Sequence, residues 1–486
     1  MEHSSENLKS KVAHGLLWKL LELAGAQGVQ FVVALILARL MTPAEYGTIG
    51  LIMIFITIAN VFVQSGFATA LIQRPEVREE DYSSVLRICL GIAVPVYFLL
   101  WFLAPHIARY YRTPVLEPLL RVMGIVLFPG AVISIQTAYV SRSLNFRQLF
   151  KASMAAVLLS GVASVGMASA GFGVWAMAAQ QLVYYFALMG GLFVTVQWRP
   201  RGGFDLQRVG ELYRFGWKIL VSGLIDTIWM NVYGLIIGRR YSPADLGGYS
   251  RGEQFPKLIT QNLSAAIQAV ILPAYSRNQD DKVRLKNMMR RSIRLSAFAV
   301  FPMMAGLIGT SVPLIRVLLT DRWLFCAPYL CIMCVCYAFW PIHVTNLQMV
   351  TALGRSDLFL KLEILKKAVG IAVLLVSLRY GIITMLILKA VDEFLCTFIN
   401  AWPVNRLIGY GIGQQYLDML PSAACAAVMG AAVWQLQRLG FAPFPTLVLQ
   451  IAAGVMIYCA LSAAVNREGF RELLDLAGTL RKKNRE

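Results

Sequence analysis

Arg39-Leu-Met-Thr42-Pro43-Ala44-Glu45-Tyr46-Gly47 returns two hundred residues later as Arg239-Arg-Tyr-Ser242-Pro243-Ala244-Asp245-Leu246-Gly247. Both copies read R-x-x-[TS]-P-A-[ED]-x-G. Each closes an apolar segment that opens with Trp-Lys, at Trp18-Lys19 and at Trp217-Lys218, so the likeness spans a helical hairpin and not nine letters alone. Self-similarity at a fixed spacing is the mark of a duplicated unit. The motif also has a local sense. Thr42 or Ser242 caps a helix whose first residue is proline, and the acid two residues further on complements the positive end of the helix dipole. The stretch is therefore expected to be a tight turn between two long helices.

Working outward, the chain is very apolar. Of 486 residues 58% are hydrophobic and 15% charged, with a mean hydropathy of +0.62, whereas a soluble domain carries about a quarter charged residues. Apolar runs long enough to cross a bilayer are expected at about 14–38, 46–70, 84–104, 115–138, 151–170, 174–196, 215–238, 253–273, 294–314, 325–350, 358–378, 381–402, 416–436 and 444–465. The runs lack the alternation of barrel strands, so helices are implied. The first run holds Lys19 and Glu22 and no small-residue cleavage site, and reads as a retained helix, not a leader. The expected fold is an all-α polytopic membrane protein of about fourteen spans. Two parallel six-helix lobes, an internal repeat, surround a central cleft, and two C-terminal helices follow.

The expected parts are a first lobe over 1–197, an inter-lobe linker over 198–214, a second lobe over 215–405, and two further spans with a basic tail over 406–486. Of the 45 Lys and Arg residues, about 29 fall in the loops on the side of the two termini, which puts both ends in the cytoplasm. The formal charge of +19 then reflects loop topology and anionic headgroups, with no nucleic acid implied. Lys286, Arg290 and Arg294, four residues apart, would share one helix face.

Charges inside spans narrow the function. A charge facing lipid at mid-bilayer costs on the order of 3 kcal/mol, so Lys19, Glu22, Asp226, Glu363, Lys366, Lys367, Lys389, Asp392 and Glu393 should face protein or water. Lys19 with Glu22, Glu363 with Lys367, and Lys389 with Asp392 and Glu393 have helical pairing distances; ion pairs that stitch a bundle and a polar substrate path are both open for them. Asp226 and Glu22 are the candidates for binding a coupling proton or cation. The candidate substrate-binding cations are Lys19, Arg142, Arg147, Lys218, Arg290, Arg291, Arg294, Lys366 and Lys367, of which Arg offers paired hydrogen bonds to phosphate; positive-inside topology explains the loop members equally. Gln180, Gln181, Tyr184, Tyr185, Gln261, Asn262, Asn346 and Gln348 would suit a sugar path or interhelical hydrogen bonds. Cys326, Cys331, Cys334 and Cys336 have no partnering His pair and read as small core residues. No phosphate-binding loop, zinc-protease or hydrolase motif occurs; no cofactor, metal or enzymatic activity is expected.

Taken with Ser141-Arg-Ser-Leu-Asn-Phe-Arg147, Gly171-Phe-Gly173-Val-Trp175-Ala, Gly247-Gly-Tyr249-Ser-Arg251 and Leu272-Pro273-Ala-Tyr-Ser276-Arg277, the opening motif resembles the polysaccharide-specific transporters of the multidrug/oligosaccharidyl-lipid/polysaccharide exporter superfamily, of the colanic-acid and O-antigen type. The chain departs from that pattern at Leu319-Thr-Asp321-Arg322-Trp323, in one external loop. The resemblance implies an inner-membrane flippase that moves an undecaprenyl-pyrophosphate-linked oligosaccharide from the cytoplasmic to the periplasmic leaflet beside glycosyltransferases and a polymerase, with a lateral opening for the lipid tail. It carries no catalytic signature. The alternatives are a multidrug or small-cation exporter of the same superfamily and a membrane-embedded glycan ligase or transferase.

Overall fold

The computed structural model describes residues 18, 21–22, 25–64, 66–74, 76–196, 198–200, 203 and 206–472. Lys19, part of the expected first span, part of the 198–214 linker and the basic tail from Arg481 lie outside them. The described residues form helices and connections, with no strand. The chain divides into two compact units, Met1–Gly247 and Gly248–Glu486.

In the first unit α1 (Gly25–Leu40) is followed by α2 (Pro43–Gln64), the short α3 (Phe67–Gln73), α4 (Glu79–Tyr110), α5 (Leu116–Met123), α6 (Leu127–Ser143), α7 (Phe146–Ser169), α8 (Val174–Thr195) and α9 (Leu206–Arg240). Next come α10 (Pro243–Ser276), α11 (Lys282–Leu318), α12 (Ala327–Ala338), α13 (Trp340–Ala352), α14 (Ser356–Ser377), α15 (Ile382–Ile408), α16 (Ile412–Leu436) and α17 (Pro443–Val465).

The element order repeats in detail. Both α4 and α11 are long and hold two prolines, the second five residues before the helix ends, Pro105 ahead of Tyr110 and Pro313 ahead of Leu318. An interior proline removes a backbone hydrogen bond and bends the helix. Each is followed by an interrupted span, Leu116–Ser143 and Asp321–Ala352. A left-handed residue then turns the chain, Leu144 before α7 and Gly354 before α14, and a helical pair closes each copy. Helices α16 and α17 have no counterpart.

The two copies of the signature adopt one hydrogen-bonding scheme. Thr42 donates from its amide and its hydroxyl to Glu45 Oε2, at 2.7 and 2.9 Å, and accepts from the Glu45 amide at 3.4 Å. Ser242 donates to Asp245 Oδ2 at 3.1 and 2.7 Å and accepts from the Asp245 amide at 3.1 Å. This is a capping box, which satisfies backbone donors at a helix start that would otherwise lack partners.

Ten of the described helices are long and apolar enough to cross a membrane; the chain is a multi-pass membrane protein. Small residues let them approach. Helix α7 buries Ala152, Ser153, Ala156, Ser160, Gly161 and Ser164, and in the second unit Gly309 of α11 meets Gly430 of α16 so closely that a Cβ there would be 2.9 Å from the Gly430 carbonyl. Such stripes are how helices pack where lipid provides no hydrophobic drive between them. Replacing Thr42 or Ser242 by Ala removes half of a capping box; each is expected to lower stability by about 1 kcal/mol, seen as a lower thermal midpoint in detergent, with similar size at the two sites.

Candidate functional site

Three long helices are missing from the apolar set: α10 with 34 residues, α14 with 22 and α15 with 27. Their length suffices to span about 30 Å of hydrocarbon; polar side chains set them apart, because α10 carries Glu253 and Lys257 with Gln261, Asn262 and Gln268, α14 carries Glu363, Lys366 and Lys367, and α15 carries Lys389, Asp392 and Glu393. All three lie in or enter the second unit, and their charges converge there.

The approach is set by two glycines one turn apart on α10. A Cβ on Gly248 would meet the Phe325 ring at 2.6 Å, and one on Gly252 would meet the Leu330 amide nitrogen at 2.9 Å, so α10 lies against α12 and the turn before it. Tyr249 and Glu253, also one turn apart, are thereby held beside Tyr337 of α12 and Lys389 of α15. Glu253 Oε1 accepts from the Tyr249 hydroxyl at 3.0 Å and from the Tyr337 hydroxyl at 3.0 Å, and lies 3.4 Å from Lys389 Nζ. Lys389 also donates to the Tyr249 hydroxyl at 3.0 Å and sits 5.4 Å from that ring's centre. Lys257 stands 3.9 Å from Glu253 Oε2. The side chains of Lys389 and Glu253 are only 14% and 16% exposed, so the pair is shielded from solvent and each charge depends on the other.

A second node joins α13 to α15. Asn400 Nδ2 and His343 Nδ1 share a hydrogen bond at 2.9 Å, and His343 Nε2 lies 3.8 Å from Glu393 Oε2. Asp392 is buried, and its Oδ1 has no hydrogen-bond partner among the described residues. On α14, Glu363 pairs with Lys366 at 2.5 Å.

A third cluster lies at the start of α11. Arg290 Nε donates to both carboxylate oxygens of Asp418 at 2.8 Å. Arg294 adds two bonds to Asp418 Oδ1 at 3.0 and 2.9 Å and reaches Glu468 at 2.6 Å. The Tyr410 hydroxyl donates to Asp418 Oδ2 at 2.9 Å, its phenol held above the usual range by burial and by that carboxylate, and Lys286 donates to the Gly409 carbonyl at 2.7 Å. Lys286, Arg290 and Arg294 thus turn one face of α11 toward the 409–418 segment; Arg291 is exposed.

The remaining sequence candidates are dispersed. Lys19 is outside the described residues. Glu22 accepts from Ser153 of α7 at 3.5 Å. Arg142 donates to the carbonyls of Leu71 and Ile72 at 3.1 and 3.2 Å and to that of Arg74, capping the end of α3 where carbonyls lack helical partners. Arg147 is exposed over the Trp18 ring at 5.6 Å, and Lys218 and Asp226 are exposed on α9. Of the polar side chains, Asn346 and Gln415 exchange two hydrogen bonds at 3.0 Å and Gln348 donates to Gln268 at 3.2 Å. Glu253 and its two tyrosines were missed by the sequence reading. Their signal was Tyr249 with Glu253 and Gly248 with Gly252, each pair one turn apart.

The family model described as "Polysaccharide biosynthesis protein" matches residues 36–328, which is more than half of the chain. The chain belongs to this polysaccharide biosynthesis protein family. Relatives of closely similar length match it along nearly the whole chain. The succinoglycan biosynthesis transport protein ExoT of Rhizobium meliloti is 25% identical over 95% of this chain and 94% of its own. The lipopolysaccharide biosynthesis protein WzxC of Escherichia coli is 22% identical over 93% and 89%. Among solved structures, the lipid II flippase MurJ in an inward closed conformation superposes with a TM-score of 0.74 over 93% of this chain and 99% of its own at 14% identity. A multidrug resistance MATE transporter of the MOP superfamily, facing inward, gives 0.61 over 80% and 98% at 14% identity. At that identity the structures speak for the fold alone.

Glu253→Ala is expected to destabilise the protein by about 3–5 kcal/mol, because Lys389 would be left buried without its carboxylate. Glu253→Gln combined with Lys389→Met should cost less than the two single changes together, a non-additivity read from thermal unfolding of all four proteins in detergent.

Proposed function

We propose that this protein is a flippase that carries an undecaprenyl-pyrophosphate-linked oligosaccharide, the repeat unit of an exopolysaccharide, capsule or O-antigen, from the cytoplasmic to the periplasmic leaflet by alternating access. The supporting observation is the match along nearly the whole chain to a protein named for polysaccharide transport. The physical need is plain. A pyrophosphate bearing several sugars would shed its water on entering about 30 Å of hydrocarbon with nothing to replace it. Charged and hydroxylated side chains within spans provide replacements.

In this reading the protein crosses the inner membrane about fourteen times with both termini in the cytoplasm, as the distribution of Lys and Arg favours. It works beside the glycosyltransferases that build the oligosaccharide and the polymerase that consumes it. The first lobe is the sequence repeat 1–197 and the second the repeat 215–405. Arg147, Lys218 and Arg291 are assigned to head-group capture, since their side chains are exposed, while Arg142, Arg290 and Arg294 bind backbone carbonyls or Asp418. Lys366 and Lys367 on α14 are assigned to the same anion further along its path. Glu22 and Asp226 are assigned to ion coupling, being acids on spans of the two repeats.

The test is rescue of a flippase-deficient strain. The protein restores surface polymer and clears the lipid-linked oligosaccharide that accumulates on the cytoplasmic face; accumulation on the periplasmic face would instead identify a polymerase or ligase. Arg147→Ala and Arg291→Ala should each raise the substrate concentration for half-maximal transport about tenfold, the loss of one charge-assisted phosphate contact. Asp226→Asn should leave transport insensitive to proton and sodium gradients; retained sensitivity removes that residue from the coupling step.

A further inference from the structure

Helix α4 runs out in Arg109-Tyr110-Tyr111-Arg112, and α9 ends in Arg239-Arg240. The two ends meet inside the first unit. The Tyr111 ring stands edge-on to Phe55 of α2 with centres 5.9 Å apart, and a Cβ on Gly238 of α9 would lie 3.5 Å from it. Tyr111 is thereby turned inward and Tyr110 outward. Tyr110 is 57% exposed, its ring edge-on to Tyr111 at 5.1 Å, and the Arg239 guanidinium lies over it, 4.7 Å from the ring centre. Leu99 and Leu103 are exposed on the same face of α4 as Tyr110, so an apolar stripe leads up to this aromatic and basic end.

Arg112 occupies a backbone that suits another residue. Its φ is 54°, and its amide and that of Thr113 close α4 on the carbonyls of Arg109 and Ala108 at 3.2 and 3.0 Å. This is the left-handed position after a helix where glycine is usual, as at Gly409 after α15, and where a Cβ is strained. The Arg112 side chain returns nothing to the fold for that strain: it is exposed, and among the described residues it makes no hydrogen bond or ion pair. Arg109 donates from Nε to the Pro105 carbonyl at 3.3 Å, and Arg239 lies on the Tyr110 ring. Among the described residues no carboxylate pairs with any of these three guanidinium groups.

Loop topology does not account for them either. With both termini in the cytoplasm, α4 and α9 end on the external side, where Lys and Arg are normally sparse. Guanidinium groups offer paired donors to a phosphate, a half-exposed tyrosine sits well at the depth of lipid headgroups, and exposed leucines along one helix face suit an acyl chain. The combination has the shape and charge of a complement to an anionic amphiphile.

We propose that the external ends of α4 and α9 form a site for an anionic phospholipid of the external leaflet, its phosphate held by Arg109, Arg112 and Arg239 and its chain lying along Leu99 and Leu103. The choice of leaflet rests on the topology adopted with the flippase reading; the choice of ligand rests on the cluster.

The test titrates the purified full-length protein in detergent with phosphatidylglycerol or phosphatidylcholine and counts bound lipid by native mass spectrometry. The parent should hold phosphatidylglycerol about tenfold more tightly, and Arg112→Gly should weaken that binding about tenfold, the loss of one charge-assisted phosphate contact. Without lipid, the thermal midpoint of Arg112→Gly should equal or exceed the parent's, because glycine suits the left-handed backbone; a lower midpoint with unchanged lipid binding would give Arg112 a structural role and overturn the proposal. Arg109→Gln, at an exposed side chain, should weaken phosphatidylglycerol binding by a similar factor and decides the matter if Arg112→Gly does not fold. Equal binding of the two lipids by the parent, or parent-level binding in both variants, overturns the site. So does binding of undecaprenyl pyrophosphate without phosphatidylglycerol, which would make the cluster a dock for a prenyl lipid. Arg112→Cys, in a chain whose native cysteines are replaced by serine, should react with an impermeant maleimide added outside; reaction from the inside alone overturns the placement. These readouts need no transport, so a chain that binds phosphatidylglycerol here yet cannot clear lipid-linked oligosaccharide loses the flippase reading and keeps the site.

Discussion

The structure is governed by what an ionised side chain demands when water is scarce. In hydrocarbon a lone charge is untenable, and a charge inside a bundle needs a partner of opposite sign with hydrogen bonds to its remaining lone pairs. Helices α10, α12 and α15 meet that demand together, and α14 meets it within itself through Glu363 and Lys366. Glu253 gathers a phenol from its own helix, a phenol from α12 and the ammonium group of Lys389 on α15. The charged helices α10 and α15 are thereby joined within the second unit.

The same demand explains why many basic side chains are not open to a ligand. Arg142 finishes a short helix, and Arg290 and Arg294 share Asp418, a carboxylate with 5% exposure that two guanidinium groups and a phenol surround. A basic rim read from topology is therefore two populations. One set binds the protein's own acceptors and ties α11 to α16 and to the residues after α17, and the other, with Arg147, Lys218 and Arg291, faces outward. Arginine serves the first use well because its planar fork keeps five donors that a carboxylate and backbone carbonyls can fill.

Backbone proximity is the second organising element. Where lipid surrounds the helices, close packing replaces the hydrophobic drive, and glycine permits it. At Gly248 and Gly252 it brings α10 against α12 and so delivers Tyr249 and Glu253 to Lys389. At Gly47 and Gly247 it brings two equal turns into contact. In both places the glycine is required by a neighbouring chain and not by its own dihedral angles, which is why each is informative about the fold.

Read alone, the sequence was sufficient for the apolar spans, the repeated motif and the caps of its two turns, whereas Glu363, spaced to meet Lys367, pairs with Lys366. Apolar length announces spans because a bilayer has a fixed thickness, the duplication is legible because its motif is contiguous, and the capping boxes follow from Thr42 with Glu45 and Ser242 with Asp245, three residues apart. Pairing between helices was not legible. Lys389 has acids three and four residues away, yet its carboxylate is Glu253, 136 residues distant, and Arg290 and Arg294 find Asp418 more than a hundred residues on. Spacing along a helix tells which side chains share a face, whereas the rotation and depth of the neighbouring helix decide what that face meets. Only packing settles those, through contacts such as Gly252 on Leu330, and it is packing that chose the partner of each buried charge.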